Sequence, residues 1–250
     1  MKLDDVKKLH QKKYRSQFGY YLVEGEHLIL ELQKACPDTE GARAITLYVT
    51  ESNQEWAKQL SAGFELVVVS DKQMAQLSDT KTPQGMIARV PLSPSKASAN
   101  TKLSASQPMR CIYLHEVQDP GNLGTIIRTL AWFGEFKLLL SPNSVDPYNS
   151  KVVRASMGAI FSLPIELDVA LETLSDRFAK FAYLDLQGST INTPSFTDYE
   201  CYLFGNEARG VPHQALTQFN AKPYTIAGSG VIDSLNLASS VGICAYQLSI

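Results

Sequence analysis

The chain has 250 residues and a mass of 27.6 kDa, is 44% hydrophobic and 19% charged, and carries a formal net charge of −2. That length permits one large domain or two small ones, and the composition and near-balanced charge exclude a disordered, fibrous or generally basic chain. Four scattered cysteines without a CxxC pair, no apolar run near the roughly 18 residues of a membrane span, and a charged start without a signal-peptide core predict a soluble cytoplasmic protein with free thiols.

The first helix carries Lys7, Lys8, Lys12, Lys13 and Arg15 around Tyr14. Such a run is either a solvated face or a surface that neutralises RNA phosphates. Beyond it, apolar runs suited to strands at 20–23, 44–50, 65–69 and 86–90 alternate with helical stretches at 26–34, 54–60 and 72–77. The alternation predicts a small α/β domain over residues 1–91. Residues 92–108, LSPSKASANTKLSASQP, are Ser-rich without apolar periodicity and predict a linker. Over 109–250, strands are expected at 111–115, 136–140, 161–165, 181–184, 202–205 and 223–226, mostly separated by helices. This predicts a mainly parallel sheet covered on both faces, with ligands at the carboxyl ends of its strands.

Three motifs fall at such ends. In DPGNLGTIIRT, Leu123, Ile126, Ile127 and Leu130 form one helical stripe, which turns Arg128 away from the core. Asn122 lies near the start of that helix, where capping is one role open to its side chain. In LFGNEARGVP, Gly205 and Gly210 permit a tight turn, and Asn206, Glu207 and Arg209 add polar groups that a turn alone does not require. In IAGSGVIDSLNLASS, a glycine loop precedes a helix with Ala238, Val241, Ala245 and Leu248 on one stripe, and Asp233 or Ser234 is placed to cap it. Gly228 and Gly230 resemble part of a dinucleotide fingerprint, but Asp233 stands where its third glycine belongs. Lys151 and Arg154 lie on a further helix, either solvated or facing RNA phosphates.

In this order, the three motifs resemble those of the SpoU (TrmH-type) branch of the SPOUT RNA methyltransferases, and YRSQFGYYLVEGEHL with TPQG resembles the ribosomal-protein-like substrate-binding domain often attached to it. The resemblance implies a deep trefoil knot over 109–250, one of the rare exceptions to unthreaded topology. It further implies an S-adenosylmethionine pocket at Gly205, Ile226 and Leu235, a homodimer, and no metal. Where the family often has Ile-Pro-Met, this chain has Ile226-Ala227-Gly228; mainly backbone contacts to the cofactor would survive that change.

By the same resemblance, the reaction is ribose 2′-O-methylation of structured RNA, ribosomal rather than transfer RNA. Arg128 would bind the neighbouring phosphate and stabilise developing alkoxide, since a guanidinium stays protonated and is a poor base. Asn122, Ser234 and Asn236 would orient the ribose, and Glu207 would position Arg128 or the second-motif loop. Lys12, Lys13, Arg15, Lys151 and Arg154 are the candidate RNA contacts. Two other readings fit the same motifs: a catalytically silent RNA-binding SPOUT protein, and a SPOUT enzyme that modifies a base.

Overall fold

The computed structural model describes residues 1–36, 39–92 and 109–250. The stretch expected as a linker therefore lies, from residue 93 to 108, outside the described residues. By contact the chain forms two compact units, residues 1–94 with 146–161 and residues 95–145 with 162–250. The segment 146–161, expected within the carboxyl-terminal domain of 109–250, packs with the first unit instead.

In the first unit, α1 (Leu3–Lys8), α2 (Lys12–Phe18), β1 (Tyr20–Glu24), α3 (Glu26–Ala35), α4 (Thr39–Arg43), β2 (Thr46–Val49), α5 (Gln54–Lys58), β3 (Glu65–Val68), α6 (Asp71–Leu77) and β4 (Met86–Pro91) follow in order. The sheet runs β1-β4-β2-β3, with β4 antiparallel to both neighbours and β2 parallel to β3. Val6 and Leu9 from the amino-terminal helix and Met74 and Leu77 from α6 cover Leu22, Tyr48 and Ile87 of the sheet. Ser70 and Gln73 form a reciprocal capping box that fixes the start of α6.

The basic first helix is interrupted between Lys8 and Lys12, and this break decides what Arg15 does. Arg15 is only 3% exposed. Its Nη1 donates to the carbonyls of Leu9 and His10, at 2.8 and 2.9 Å, which the break leaves without helical partners. Its Nε and Nη2 donate to Asp146 Oδ2 at 2.9 and 2.6 Å. Arg15 is thus corrected from an RNA contact to a buried structural ion pair. A run of cations cannot reveal which one the fold turns inward.

In the second unit, β5 (Arg110–Leu114), α7 (Pro120–Phe133) and β6 (Phe136–Leu140) come first. The chain then gives α8 (Ser150–Ala155), which packs on β1, to the first unit. It resumes with β7 (Ile165–Glu166), α9 (Leu174–Arg177), β8 (Phe181–Thr190), β9 (Cys201–Phe204), α10 (His213–Leu216), β10 (Ala221–Thr225) and α11 (Leu237–Ser249). The sheet order is β10-β8-β9-β5-β6-β7, and every pairing is parallel. The strand expected at 161–165 shrinks to Ile165–Glu166, because Phe161 closes a 3₁₀ turn and Pro164 has no N–H to give a ladder.

Helix α7 buries the predicted stripe of Leu123, Ile126, Ile127 and Leu130. Helix α11 buries Ala238, Val241, Ala245 and Leu248, and Cys244 with them. The two helices pack together, with Gly242 against Thr129. Tyr113, Leu139, Phe181 and Leu203 form the core on β5, β6, β8 and β9. Its buried side chains anchor the strand ends that carry the motifs.

Candidate active site

The first motif begins where β5 meets α7. Asp119 caps the helix by accepting from the Asn122 N–H at 2.7 Å, and Pro120 occupies its first turn without wasting a donor. Capping is therefore performed by Asp119, and the Asn122 side chain is left for longer-range contacts. Its Nδ2 donates to Glu207 Oε1 at 3.3 Å, and its Oδ1 accepts from Asn236 Nδ2 at 2.9 Å. Glu207 also accepts from the backbone N–H groups of Gln118 and Asp119, both at 3.1 Å. Asn236 in turn caps α11 through Oδ1, which accepts from Ala238 and Ser239. The caps expected of Asp233 or Ser234 thus belong to Asn236, because α11 starts later than the sequence suggests. One hydrogen-bond chain, Glu207–Asn122–Asn236, joins all three motifs.

The second loop is held by its backbone. A Cβ on Gly205 would lie 2.2 Å from the carbonyl carbon of Gly210, so only glycine lets the two strands of the turn approach. Asn206 and Gly210 exchange N–H···O bonds of 3.0 and 2.9 Å. The buried Asn206 side chain accepts from the Ala208 and Arg209 N–H groups and donates to the Glu116 carbonyl at 2.6 Å. Arg209 forms an ion pair with the Glu116 carboxylate. Asn206 and Arg209, whose roles the sequence left open, brace this loop. Beside the network lies a hollow of about 550 Å³ lined by Glu116, Gln118, Asn143, Asn206, Ala208 and Arg209. Glu116 and Asn143 have left-handed backbones, φ 50° and 65°, a feature that no sequence pattern announced.

Arg128 is exposed on α7 and makes no hydrogen bond or ion pair among the described residues. Ser234 is exposed in the third loop, outside the hydrogen-bond chain. Ile226 is half-buried, whereas Leu235 and its neighbours Val231 and Ile232 are exposed. Around Gly228 and Gly230 nothing fills the space where a Cβ would sit. A loop with bare backbone and exposed apolar side chains suits an adenine ring, so the residues present fit the adenosine part of S-adenosylmethionine. Val231 and Ile232 add to the exposed apolar side chains of this loop, where the motif pointed only to Ile226 and Leu235. Among the described residues, no group of three or more His, Cys, Asp or Glu side chains is placed to hold a metal ion. Nor is any described helix long and apolar enough to cross a membrane.

Of the expected RNA contacts, Lys12 and Lys13 are exposed, the latter 5.8 Å from the Tyr14 ring centroid. Lys151 is exposed on α8. Arg154 is half-buried and 3.7 Å from Asp79, an arrangement that holds its head within the first unit. At the end of β5, burial pulls His115 below its ordinary pKa, and its Nδ1 is buried without a hydrogen-bond partner among the described residues.

Residues 109–246 match the SpoU rRNA Methylase family, and residues 2–88 match the MRM3-like substrate binding domain. The chain is 28% identical to the 23S rRNA (guanosine(2553)-2′-O)-methyltransferase RlmP of Bacillus subtilis, over 99% of this chain and 95% of that protein. It is 30% identical to an uncharacterized tRNA/rRNA methyltransferase of Synechocystis, over 97% of this chain and 88% of the relative. Among solved structures, an AdoMet-bound rRNA methyltransferase from Sinorhizobium meliloti superposes with a TM-score of 0.79 at 27% identity, covering 98% of this chain and 93% of the other.

Proposed function

Because the chain belongs to the SpoU rRNA methylase family, we propose that it methylates a ribose 2′-hydroxyl of ribosomal RNA with S-adenosylmethionine as donor. The observation that carries this reading is the hydrogen-bond chain Glu207–Asn122–Asn236, which draws three distant motifs together beyond the carboxyl ends of the neighbouring strands β5 and β9. Ile226, Leu235 and the backbone of Gly205 hold the cofactor, which when bound supplies an electrophilic methyl on a sulfonium sulfur. Asn122 and Asn236, locked to each other, and Ser234 beside them orient the acceptor ribose. Glu207 fixes Asn122 and the start of α7, so it positions the site. Arg128 binds the adjacent phosphate and stabilises negative charge developing on the 2′-oxygen, while solvent or a phosphate oxygen takes the proton.

The family's trefoil knot belongs to the same reading. It is supported by the all-parallel sheet and by the return of α11 onto α7. The first unit serves as the RNA-binding domain, with the exposed Lys12, Lys13 and Lys151 as its RNA contacts. Two copies form a homodimer in the cytoplasm, and Trp132, Ile243, Tyr246 and Ile250 are the exposed apolar side chains on and beside α7 and α11 available for that contact.

Arg128→Ala tests the reading. Transfer of tritiated methyl to total RNA from a strain lacking the gene is expected to fall at least a hundredfold, with calorimetric S-adenosylmethionine affinity unchanged. Alkaline mapping separates ribose from base modification, because a 2′-O-methyl blocks cleavage at its linkage. No cofactor binding, or label in a base, would overturn it.

A further inference from the structure

The hollow beside the hydrogen-bond chain has no task in the chemistry above, and its lining is unusual. Apart from Ala208, it consists of one carboxylate, one guanidinium and three side-chain amides. Its volume of about 550 Å³ falls within the roughly 300–1,000 Å³ of small-ligand pockets. Much of its polar capacity is already committed: Asn206 is spent on its own loop and on the Glu116 carbonyl, and Gln118 Nε2 donates to the carbonyls of Glu116 and Asn143 at 3.0 and 2.7 Å. What remains for a ligand is the Glu116 carboxylate, held among the described residues only by Arg209 on Oε2 and by a long 3.5 Å contact from Asn143 Nδ2 on Oε1, together with the Arg209 guanidinium and the side-chain oxygens of Gln118 and Asn143. The Glu116–Arg209 pair is largely exposed on the arginine side, with 66% of that side chain accessible. An ion pair this exposed is a weak one that a better partner displaces.

Glu116 is presented by a left-handed backbone, φ 50°, braced by Ser141 Oγ on its N–H at 2.6 Å and Asn206 on its carbonyl. Strained backbone held by its surroundings is a mark of a placed functional group. The hollow also adjoins the proposed acceptor site, since the Gln118 N–H is held by Glu207 and the Gln118 side chain lines the hollow.

We propose that this hollow receives a guanine base of the RNA substrate, with Glu116 and Arg209 as the specificity-determining residues. A carboxylate accepts from two adjacent donors, and guanine alone among the four bases presents a pair, N1–H and the 2-amino group. Guanine also carries two adjacent acceptors, O6 and N7, which suit the donor fork of Arg209. Adenine, cytosine and uracil each set an acceptor against one carboxylate oxygen. The base would replace Arg209 at the carboxylate, and Arg209 would turn to the acceptors.

This assignment rests on the methyltransferase reading for its connection to RNA, but its test reads binding alone. The full chain is titrated with the 5′-monophosphates of guanosine, adenosine, cytidine, uridine and inosine, followed by nuclear magnetic resonance of the Gln118 and Asn143 side-chain amides. S-adenosylhomocysteine is kept in excess so that adenosine groups do not enter the cofactor pocket. Guanosine monophosphate is expected to bind roughly tenfold or more tightly than the others, the discrimination of one bidentate pair. Inosine monophosphate, which lacks only the 2-amino group, is expected to fall to the level of adenosine monophosphate. Glu116→Gln, which replaces one acceptor by a donor, is expected to abolish the preference at unchanged cofactor affinity. Equal binding of all five, no shift of those amides, or retained guanine preference in Glu116→Gln would overturn the assignment. Failure of S-adenosylhomocysteine to bind in calorimetry would instead strike the methyltransferase reading.

Discussion

Glu207 satisfies three donors with two oxygens, and none of the three has another acceptor of comparable placement. Glu207→Gln keeps the shape but sets an NH₂ group against N–H groups. Unfolding in urea is expected to show a loss of about 1 kcal/mol with an unchanged m-value, together with a loss of methyl transfer. At His115 the relevant quantity is protonation. Burial lowers its folded pKa below 6.5, so the unfolded chain takes up the proton first as pH falls. The neutral form's contribution is complete above the ordinary value and is lost below it. Urea stability is expected to decline as pH falls below about 6.5, the ordinary value, and His115→Gln to flatten that decline. At this scale residue types were legible and partners were not. Asn122 and Asn236 could be named from their motifs, but which asparagine caps and which reaches across depends on where each helix begins. Arg15 shows the same limit, because its partner Asp146 lies 131 positions away.

The elements themselves followed from periodicity wherever one face is buried. The stripes of α7 and α11 and the strands β1, β5, β6 and β9 lie within a residue or two of their expected positions. Periodicity failed where backbone chemistry intervenes, as at Pro164, or where pairing continues past the apolar run. Strand β8 extends to Thr190 although its far half is largely exposed, because it pairs with Tyr224 and Thr225 of β10 beyond a register shift. The turn after β9 is the element on which the site depends most. Gly205→Ala would drive a methyl group into the Gly210 backbone, which has no rotamer with which to yield. A destabilisation of at least about 2–3 kcal/mol is expected, with weakened cofactor binding by calorimetry. Full stability in Gly205→Ala would show that the turn relaxes freely.

At the scale of the whole molecule, the exposed side chain with most to gain from burial among the described residues is Trp132, 85% accessible on α7. The next residue of α7, Phe133, is tilted against the exposed Tyr246 of α11 with ring centroids 6.1 Å apart. If two copies meet at this face, light scattering is expected to report twice the chain mass, and Trp132→Glu to return it to 27.6 kDa. A wild-type protein at the chain mass under micromolar conditions would refute the dimer. The alternation of strands and helices was legible in the sequence, but which compact unit residues 146–161 join was not. Nothing in the apolar pattern distinguishes α8 from a helix of the unit that precedes and follows it in sequence. That interleaving bears on birth as well as architecture. A ribosome delivers about 5–20 residues per second, so a unit that needs residues 146–161 stays incomplete while part of its neighbour is already being made. Until Asp146 emerges from the exit tunnel, Arg15 lacks its counter-ion and is best left in water, so the amino-terminal unit cannot finish folding first.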